Sequence, residues 1–118
     1  MAGKKRSAVA YLRTSSLTNV DGDSAERQRL ATQAFAKRGG LTIEREFYDA
    51  AVSGADPVDR RPGFVALLEH CREHSIGMVL VENASRFARD LAVQLAGHEL
   101  LLKRGIELVP VDAPTYFT

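Results

Sequence analysis

Residues 8–12, with the sequence AVAYL, are the stretch from which the fold of this chain can be worked out. Five apolar residues in succession, followed at once by a polar segment, are typical of a strand buried on both faces of a parallel sheet. The polar segment, residues 14–23, contains Ser, Thr, Asn, Asp and Gly and predicts a loop. Ser24 is then a suitable N-cap for a helix, which we expect to run to about Arg38 and to end at Gly39-Gly40.

A second strand and a second helix follow. Residues 41–48 alternate apolar and polar side chains and predict a strand. Residues 49–60 predict a loop, and Pro62 lies where the first turn of a helix tolerates proline. The helix that starts there has one apolar face, because its apolar residues recur at helical intervals: Phe64, Leu67, Leu68 and Cys71.

The last third of the chain continues the alternation. Residues 76–81 form the most apolar predicted strand, and residues 83–89 predict a connection. Residues 90–104 predict a third helix, ended by Gly105, whose inward face is expected to carry Leu91, Leu95 and Leu102. Residues 106–111 predict a fourth strand.

The order of these elements, β-α-β-α-β-α-β, predicts an α/β fold. Strands that alternate with helices of this length favour a mostly parallel sheet of four to five strands with helices on both faces. Pro110 indicates that the fourth strand finishes there or lies at an edge. In such sheets active groups collect at the carboxyl ends of the strands, which selects the loops after Leu12, Tyr48 and Val81.

Composition narrows the class of protein. A length of 118 residues with 45% hydrophobic and 26% charged residues fits one soluble domain with a single core. The net charge of +1 lacks the basic excess of a stand-alone DNA-binding module. A single cysteine, Cys71, excludes an internal disulfide, and we see neither a signal peptide nor a membrane span. We therefore expect a cytoplasmic protein.

The three selected loops are rich in arginine and serine. They contribute Arg13, Ser15 and Ser16; Arg60 and Arg61; and Arg86 and Arg89. Guanidinium groups match phosphate oxygens and keep their charge, and a serine hydroxyl among them could attack a phosphodiester. Arginines in such loops are also common surface ion-pair partners, and serines are common loop residues. Spacing alone does not decide between phosphate binding and phosphate chemistry.

Five segments resemble, in the same order, the motifs of the resolvase and invertase family, the serine recombinases. Residues 11–15 (YLRTS) resemble Y-x-R-x-S, residues 24–28 (SAERQ) resemble S-x-x-x-Q, and residues 49–54 (DAAVSG) resemble D-x-x-x-S-G. Residues 61–64 (RPGF) are similar to R-P-x-[FL], and residues 85–90 (SRFARD) to D-R-[LF]-[SA]-R-D. Each motif is weak alone, but together they cover nearly the whole chain.

The resemblance implies a resolvase-like catalytic domain and a reaction. Ser15 would attack a phosphate of the DNA backbone and become joined to the 5′ end, releasing a 3′ hydroxyl. The scissile phosphate would be surrounded by Arg13, Arg61, Arg86 and Arg89, and Gln28 would position the serine or its loop. No metal ion and no cofactor are implied, because the guanidinium groups take the role that a cation has in other phosphoryl-transfer sites.

The resemblance also implies partners and a domain organisation. The partner would be double-stranded DNA, and the full-length protein would work as a homodimer and tetramer in recombination or integration. Residues 1–118 would be the catalytic domain, ending before a long oligomerisation helix and a DNA-binding domain, and by themselves inactive in full recombination. Two departures are visible: Ser85 stands where the family commonly has Asp, and the loop from Ser16 to Asp23 is longer than in small resolvases.

Two other functions remain open from the sequence. One is a non-catalytic relative that assembles on DNA, and the other is a flavodoxin-like domain that binds a phosphate-bearing ligand. Several polar residues are interpreted as structural rather than chemical. We expect Asp49 and Ser53 to shape a mobile loop, Asp21 and Asp23 to be solvated, and the histidines, which we interpret as lacking the paired spacing of metal ligands, to lie at the surface: His70, His74 and His98.

Overall fold

Four parallel strands form the centre of the molecule. The computed structural model describes residues 6–15 and 25–118, so the expectations for Ser16, Asp21, Asp23 and Ser24 lie outside the described residues. The strands are β1 (Arg6–Arg13), β2 (Leu41–Asp49), β3 (Met78–Val81) and β4 (Glu107–Pro110), in the order β2-β1-β3-β4. The predicted α/β class and parallel sheet are confirmed.

Helices cover both faces of this sheet. They are α1 (Ala25–Gly39), α2 (Pro62–His74), α3 (Ala84–Phe87) and α4 (Leu91–Lys103), with a short 3-10 turn at Val58–Arg60. The smaller part of the core lies under α1 and includes Ala8, Ala36 and Leu80. The larger part lies under α2 and α4 and includes Tyr11 and Phe64. Since β1 alternates its side chains between the two parts, it is the strand on which both faces are built.

The second helix agrees with its sequence pattern. Pro62 is its first residue, and all four residues of the predicted apolar face are buried: Phe64, Leu67, Leu68 and Cys71. Burial raises the pKa of the Cys71 thiol to about 11, so this side chain behaves as a core residue. The periodicity of apolar residues therefore predicted this helix and its orientation correctly.

The orientation predicted for α4 was wrong. Leu91, Leu95 and Leu102 are 62%, 56% and 58% exposed, and the inward residues are Gln94, Gly97 and Leu101. The leucines of α4 lie on several sides of the helix, so the pattern of hydrophobic residues does not single out one inward face. Close packing decides instead, because a β-carbon at Gly97 would lie 2.6 Å from the buried ring of Phe87. The side-chain amide of Gln94 donates to the carbonyl oxygen of Ala88 at 2.9 Å.

The segment between β3 and α4 is more regular than a simple connection. Asn83 caps the one-turn helix α3, because its side-chain oxygen accepts a hydrogen bond from the amide of Arg86 at 3.0 Å. Pro110 ends β4, which pairs with β3 at the edge of the described sheet, as its sequence predicts.

The histidines are only partly at the surface. His74 is exposed, whereas His70 and His98 are half-buried. His70 and His74 lie four residues apart on α2 with ring centroids 4.1 Å apart, so the interpretation that paired spacing is missing was wrong for these two. The ring of His98 packs against the ring of Phe117, with the two centroids 4.7 Å apart. None of the described helices is long and apolar enough to cross a membrane.

The two neighbouring leucines at the end of α4 test its orientation. Leu101 is fully buried and Leu102 is 58% exposed. We expect Leu101→Ala to lower the free energy of unfolding by about 2–5 kcal/mol, because it leaves a cavity in the core. The matched change Leu102→Ala is expected to cost less than about 1 kcal/mol. Denaturant unfolding measures both, and equal losses would contradict the orientation of α4.

Candidate active site

The candidate site lies at the carboxyl ends of the two central strands. The strand order β2-β1-β3-β4 changes direction between β1 and β3, which is the position where sheets of this kind usually bind ligands. Arg13 is the last residue of β1, and Ser15 follows it as an exposed residue. The loop after β3 leads directly into Arg86. The edge that the sequence selected therefore collects these residues.

Arg13 connects the loops at this edge. It is 2% exposed, and its guanidinium group donates hydrogen bonds to three carbonyl oxygens. These belong to Val52 at 3.0 Å, Ser85 at 2.8 Å and Arg86 at 3.1 Å. One side chain at the end of β1 thus holds the loop after β2 and the loop after β3. In this structure the Arg13 guanidinium is a structural link as well as a positive charge.

Gln28 fixes the backbone of Arg13. Its side-chain oxygen accepts from the Arg13 amide at 3.1 Å, and its side-chain nitrogen donates to the Arg13 carbonyl oxygen at 3.0 Å. Gln28 is fully buried on α1. An amide is the side chain that offers one donor and one acceptor to a peptide unit. Gln28 therefore orients the chain two residues before Ser15.

Arg61 is the second buried arginine. It is 1% exposed and lies directly before α2. Its guanidinium group contacts the carbonyl oxygen of Phe87, donates to the carbonyl oxygen of Asp56 at 3.0 Å, and lies 3.4 Å from the hydroxyl of Tyr11. These partners join the loop after β2 to α3. Buried charge is tolerated here because several polar groups surround it.

The expectation that Asp49 shapes a mobile loop was wrong. Asp49 is buried at the end of β2, and its carboxylate accepts from the Tyr11 hydroxyl at 2.8 Å. The same carboxylate accepts from the amides of Gly63 at 2.7 Å and Phe64 at 3.0 Å, so it caps α2. Burial raises the pKa of the Tyr11 hydroxyl well above its usual value, which keeps it protonated as the donor. Ser53 makes a local turn, since its hydroxyl accepts from the Ala55 amide.

Arg86 and Arg89 are nearer the solvent. The Arg86 side chain is 17% exposed, and its Nη1 lies 3.4 Å from the carbonyl oxygen of Arg13. Arg89 is exposed, and its backbone amide donates to the carbonyl oxygen of Gly54 at 2.9 Å. A β-carbon on Gly54 would lie 2.6 Å from Cβ of Arg89 and 2.9 Å from Nη2 of Arg13. Glycine at position 54 therefore permits the close approach of these arginines.

The four arginines form one electrostatic group. Burial lowers the pKa of Arg13, and the positive charges of Arg61, Arg86 and, to a smaller extent, Arg89 lower it further. Like charges at such range favour an anion among them. We call Arg13, Arg61, Arg86 and Arg89 the arginine cluster. The structure brings all four and Gln28 together beside the loop that carries Ser15.

Sequence reasoning missed three residues that organise this cluster. Tyr11 was predicted only as part of a buried strand, Asp49 as part of a loop, and Glu82 was given no role. Asp49 could have been found as an acid at the end of a strand whose partner helix begins without an acidic first turn. Glu82 had a weaker signal in the sequence, since an acidic residue directly after a strand is common.

Comparison with known proteins gives one family. The family model described as the resolvase N-terminal domain matches residues 8–118. The crystal structure of a resolvase family site-specific recombinase from Streptococcus pneumoniae is 28% identical, with a TM-score of 0.75 over 92% of this chain and 73% of that chain. No curated protein sequence matches this chain significantly.

Two further structures share the fold. The N-terminal catalytic domain of TP901-1 integrase has a TM-score of 0.81 at 22% identity, covering 91% of this chain and 79% of that chain. The C-terminal catalytic domain of ISC1926 TnpA, an IS607-like serine recombinase, has a TM-score of 0.73 at 25% identity, covering 89% and 67%.

The clamp of Gln28 on Arg13 can be tested by stability. We expect Gln28→Met, which keeps the length of the side chain, to lower the free energy of unfolding by about 2–3 kcal/mol because it leaves a buried amide and carbonyl unsatisfied. The control Gln33→Met, at an exposed position of the same helix, is expected to stay within about 0.5 kcal/mol of the parent. Chemical denaturation compares them. A Gln28→Met protein as stable as the parent would show that the clamp contributes nothing.

Proposed function

This chain belongs to the resolvase family of serine recombinases, and we propose that it cleaves and rejoins DNA in site-specific recombination through a 5′-phosphoserine intermediate. The observation that carries the proposal is the arginine cluster beside the exposed Ser15, at the carboxyl ends of β1 and β3. A serine hydroxyl next to a dense group of guanidinium cations suits attack on a phosphodiester.

The proposed step balances as a transfer of one phosphoryl group. The Oγ of Ser15 forms a bond to phosphorus, and the bond from phosphorus to the 3′ oxygen breaks. The Ser15 hydroxyl loses its proton as the phosphoryl group is attached, and the departing 3′ oxygen gains a proton to become a hydroxyl. Rejoining is the reverse attack by a 3′ hydroxyl on the phosphoserine. The covalent bond conserves the energy of the phosphodiester, so no nucleotide cofactor enters the balance.

The arginines divide into two roles in this proposal. Arg86 and Arg89 reach the solvent side, so they are placed to meet the phosphate oxygens of DNA. Arg13 and Arg61 are buried and bind carbonyl oxygens, so they support the loops and add positive potential from beneath. Stabilising the charge that develops on the phosphoryl oxygens is the largest contribution that such a site can make.

The proposed partners are double-stranded DNA and other copies of the same protein. The net charge of +1 means that affinity for DNA has to come from a local group of basic residues, which the arginine cluster supplies. The exposed leucines of α4 add an apolar surface of the kind that protein–protein interfaces use. We propose assembly as a homodimer and tetramer at natural full length.

The nucleophile can be tested by trapping the covalent intermediate. The full-length protein is incubated with nicked duplexes tiled across the DNA that flanks its gene, and adducts are separated on a denaturing gel. We expect an adduct whose 14–27 peptide carries a nucleotide on Ser15 by mass spectrometry. Ser15→Ala should abolish it, because the hydroxyl is the attacking group.

The matched control for this experiment is Ser7→Ala. Ser7 lies on β1, the strand that precedes Ser15, near the end of that strand farther from Ser15, where its hydroxyl contacts Glu44. We expect the control to form adduct as the parent does. If the parent protein binds DNA but forms no adduct, it is a non-catalytic relative and the proposed reaction is wrong.

The role of the outer arginines can be tested separately. We expect Arg89→Ala to slow adduct formation by about a hundredfold, because it removes a cation from the phosphoryl oxygens. The control Arg60→Ala removes an exposed arginine from the turn before α2 and should change the rate less than about twofold. Single-turnover rates at saturating DNA measure both, and equal rates for the two variants would exclude Arg89 from the reaction.

A further inference from the structure

Glu82 lies between two arginines at the end of β3. Its carboxylate accepts a bidentate pair of hydrogen bonds from Arg27. Oε2 of Glu82 lies 2.6 Å from Nε of Arg27, and Oε1 lies 2.7 Å from Nη2. The same Oε1 lies 3.7 Å from Nε of Arg86. The carboxylate of Glu82 is held in one orientation, because the bidentate pair with Arg27 fixes its rotamer. Glu82 therefore meets Arg86 from a fixed position.

Burial strengthens this contact. The side chains of Glu82 and Arg86 are 14% and 17% exposed, whereas the pair of Glu99 and Lys103 on α4 is 68% and 76% exposed. Exposed pairs contribute little because water and salt screen them, but screening weakens as the groups are shielded. The contact of Glu82 with Arg86 thus has a stronger orienting effect than a surface ion pair of the same length.

The surroundings of Arg86 show what this contact orients. The backbone of Arg86 is held by the Asn83 cap, and its Nη1 lies against the Arg13 carbonyl oxygen. Glu82 contacts the Nε edge of the same guanidinium group. Since Arg27 lies in the first turn of α1, Glu82 also connects that helix to the arginine cluster.

We propose that Glu82 is a positioning residue for DNA cleavage, which holds the guanidinium group of Arg86 toward the phosphate through its contact with Nε. This inference rests on the proposed function for its consequence, while the contact itself can be measured without any reaction. Glu82 does not touch the phosphate in this role. Its loss misplaces a cation by a small distance, which is enough to slow a phosphoryl transfer that depends on geometry.

The kinetic test uses Glu82→Gln in the full-length protein. This variant keeps the shape of the side chain and removes its charge. We expect single-turnover adduct formation at saturating DNA to fall about ten- to hundredfold. The affinity for DNA should stay equal or increase, because a negative charge has been removed next to the binding site. Glu82→Asp, which restores the charge on a shorter side chain, should recover part of the rate.

The matched control is Glu46→Gln. Glu46 pairs with Arg29 at 2.7 Å with an exposed fraction of 25%, between α1 and β2, so it resembles the Glu82 pair but contacts no member of the arginine cluster. We expect its rate to stay within about twofold of the parent. Thermal unfolding of all variants shows whether a rate changes because the protein unfolds. A Glu82→Gln rate equal to that of the parent overturns the proposal.

A second readout does not depend on activity. The ¹H–¹⁵N signal of Arg86 Nε, assigned with Arg86→Lys, reports exchange of its hydrogen with water. We expect exchange to quicken about fivefold or more in Glu82→Gln, because the negative charge 3.7 Å from Nε, which repels the hydroxide that catalyses exchange, is lost. The rate should stay unchanged in Glu46→Gln. An unchanged signal in Glu82→Gln overturns the positioning role. If the Arg86 signal changes in Glu82→Gln but the parent protein forms no adduct, the contact is supported and the proposed function is contradicted.

Discussion

The hydrogen bonds of the Arg13 guanidinium group are the interactions on which the edge with the candidate site depends. It is the last side chain of the central strand, and it reaches carbonyl oxygens of the loops after β2 and β3. Because Gln28 fixes the Arg13 backbone from α1, one helix and two loops are all connected through Arg13. A buried arginine can do this because its five donors lie in a rigid plane, which fits several carbonyl oxygens at once.

Four neighbouring cations would repel one another without compensation. The compensation comes from two kinds of group. Carbonyl dipoles of the loops surround the buried arginines, and carboxylates lie at the border of the cluster. Asp49 acts through the Tyr11 hydroxyl and the first turn of α2, whereas Glu82 pairs directly with Arg86. Arg89 is exposed and the Arg86 side chain is 17% exposed, so these two are the members of the cluster that an anion in solution can reach.

The same arrangement is compatible with the proposed reaction on DNA, although the protein is nearly neutral overall. Overall charge governs long-range attraction, but a reaction at one phosphate depends on a few correctly placed cations. The chain belongs to the resolvase family and shares the fold of recombinase catalytic domains, and the arginine cluster supports the proposed reaction at a phosphate. Glu82 adds a feature of this chain, since it connects the geometry of Arg86 to the start of α1.

The sequence by itself determined the alternation of strands and helices, the parallel sheet and the edge that carries the candidate site. These follow from local periodicity, from turn residues and from the rule that parallel strands end at one side. The motifs around Ser15, Arg61 and Arg86 gave the family resemblance, which the family model for residues 8–118 confirms. The inward face of α2 was also readable, because its apolar residues lie in one stripe.

Only the tertiary structure decided how charged and ambiguous residues are used. Leucines lie on several sides of α4, so the close packing of Gly97 on Phe87 chose its inward face. Asp49 and Glu82 acquire their roles from partners far away in the chain, namely Tyr11 and Arg27. The burial of Arg13 and Arg61 was likewise invisible in the sequence. A charge can be buried only where carbonyl groups from separate loops converge, and that convergence is a property of the folded chain.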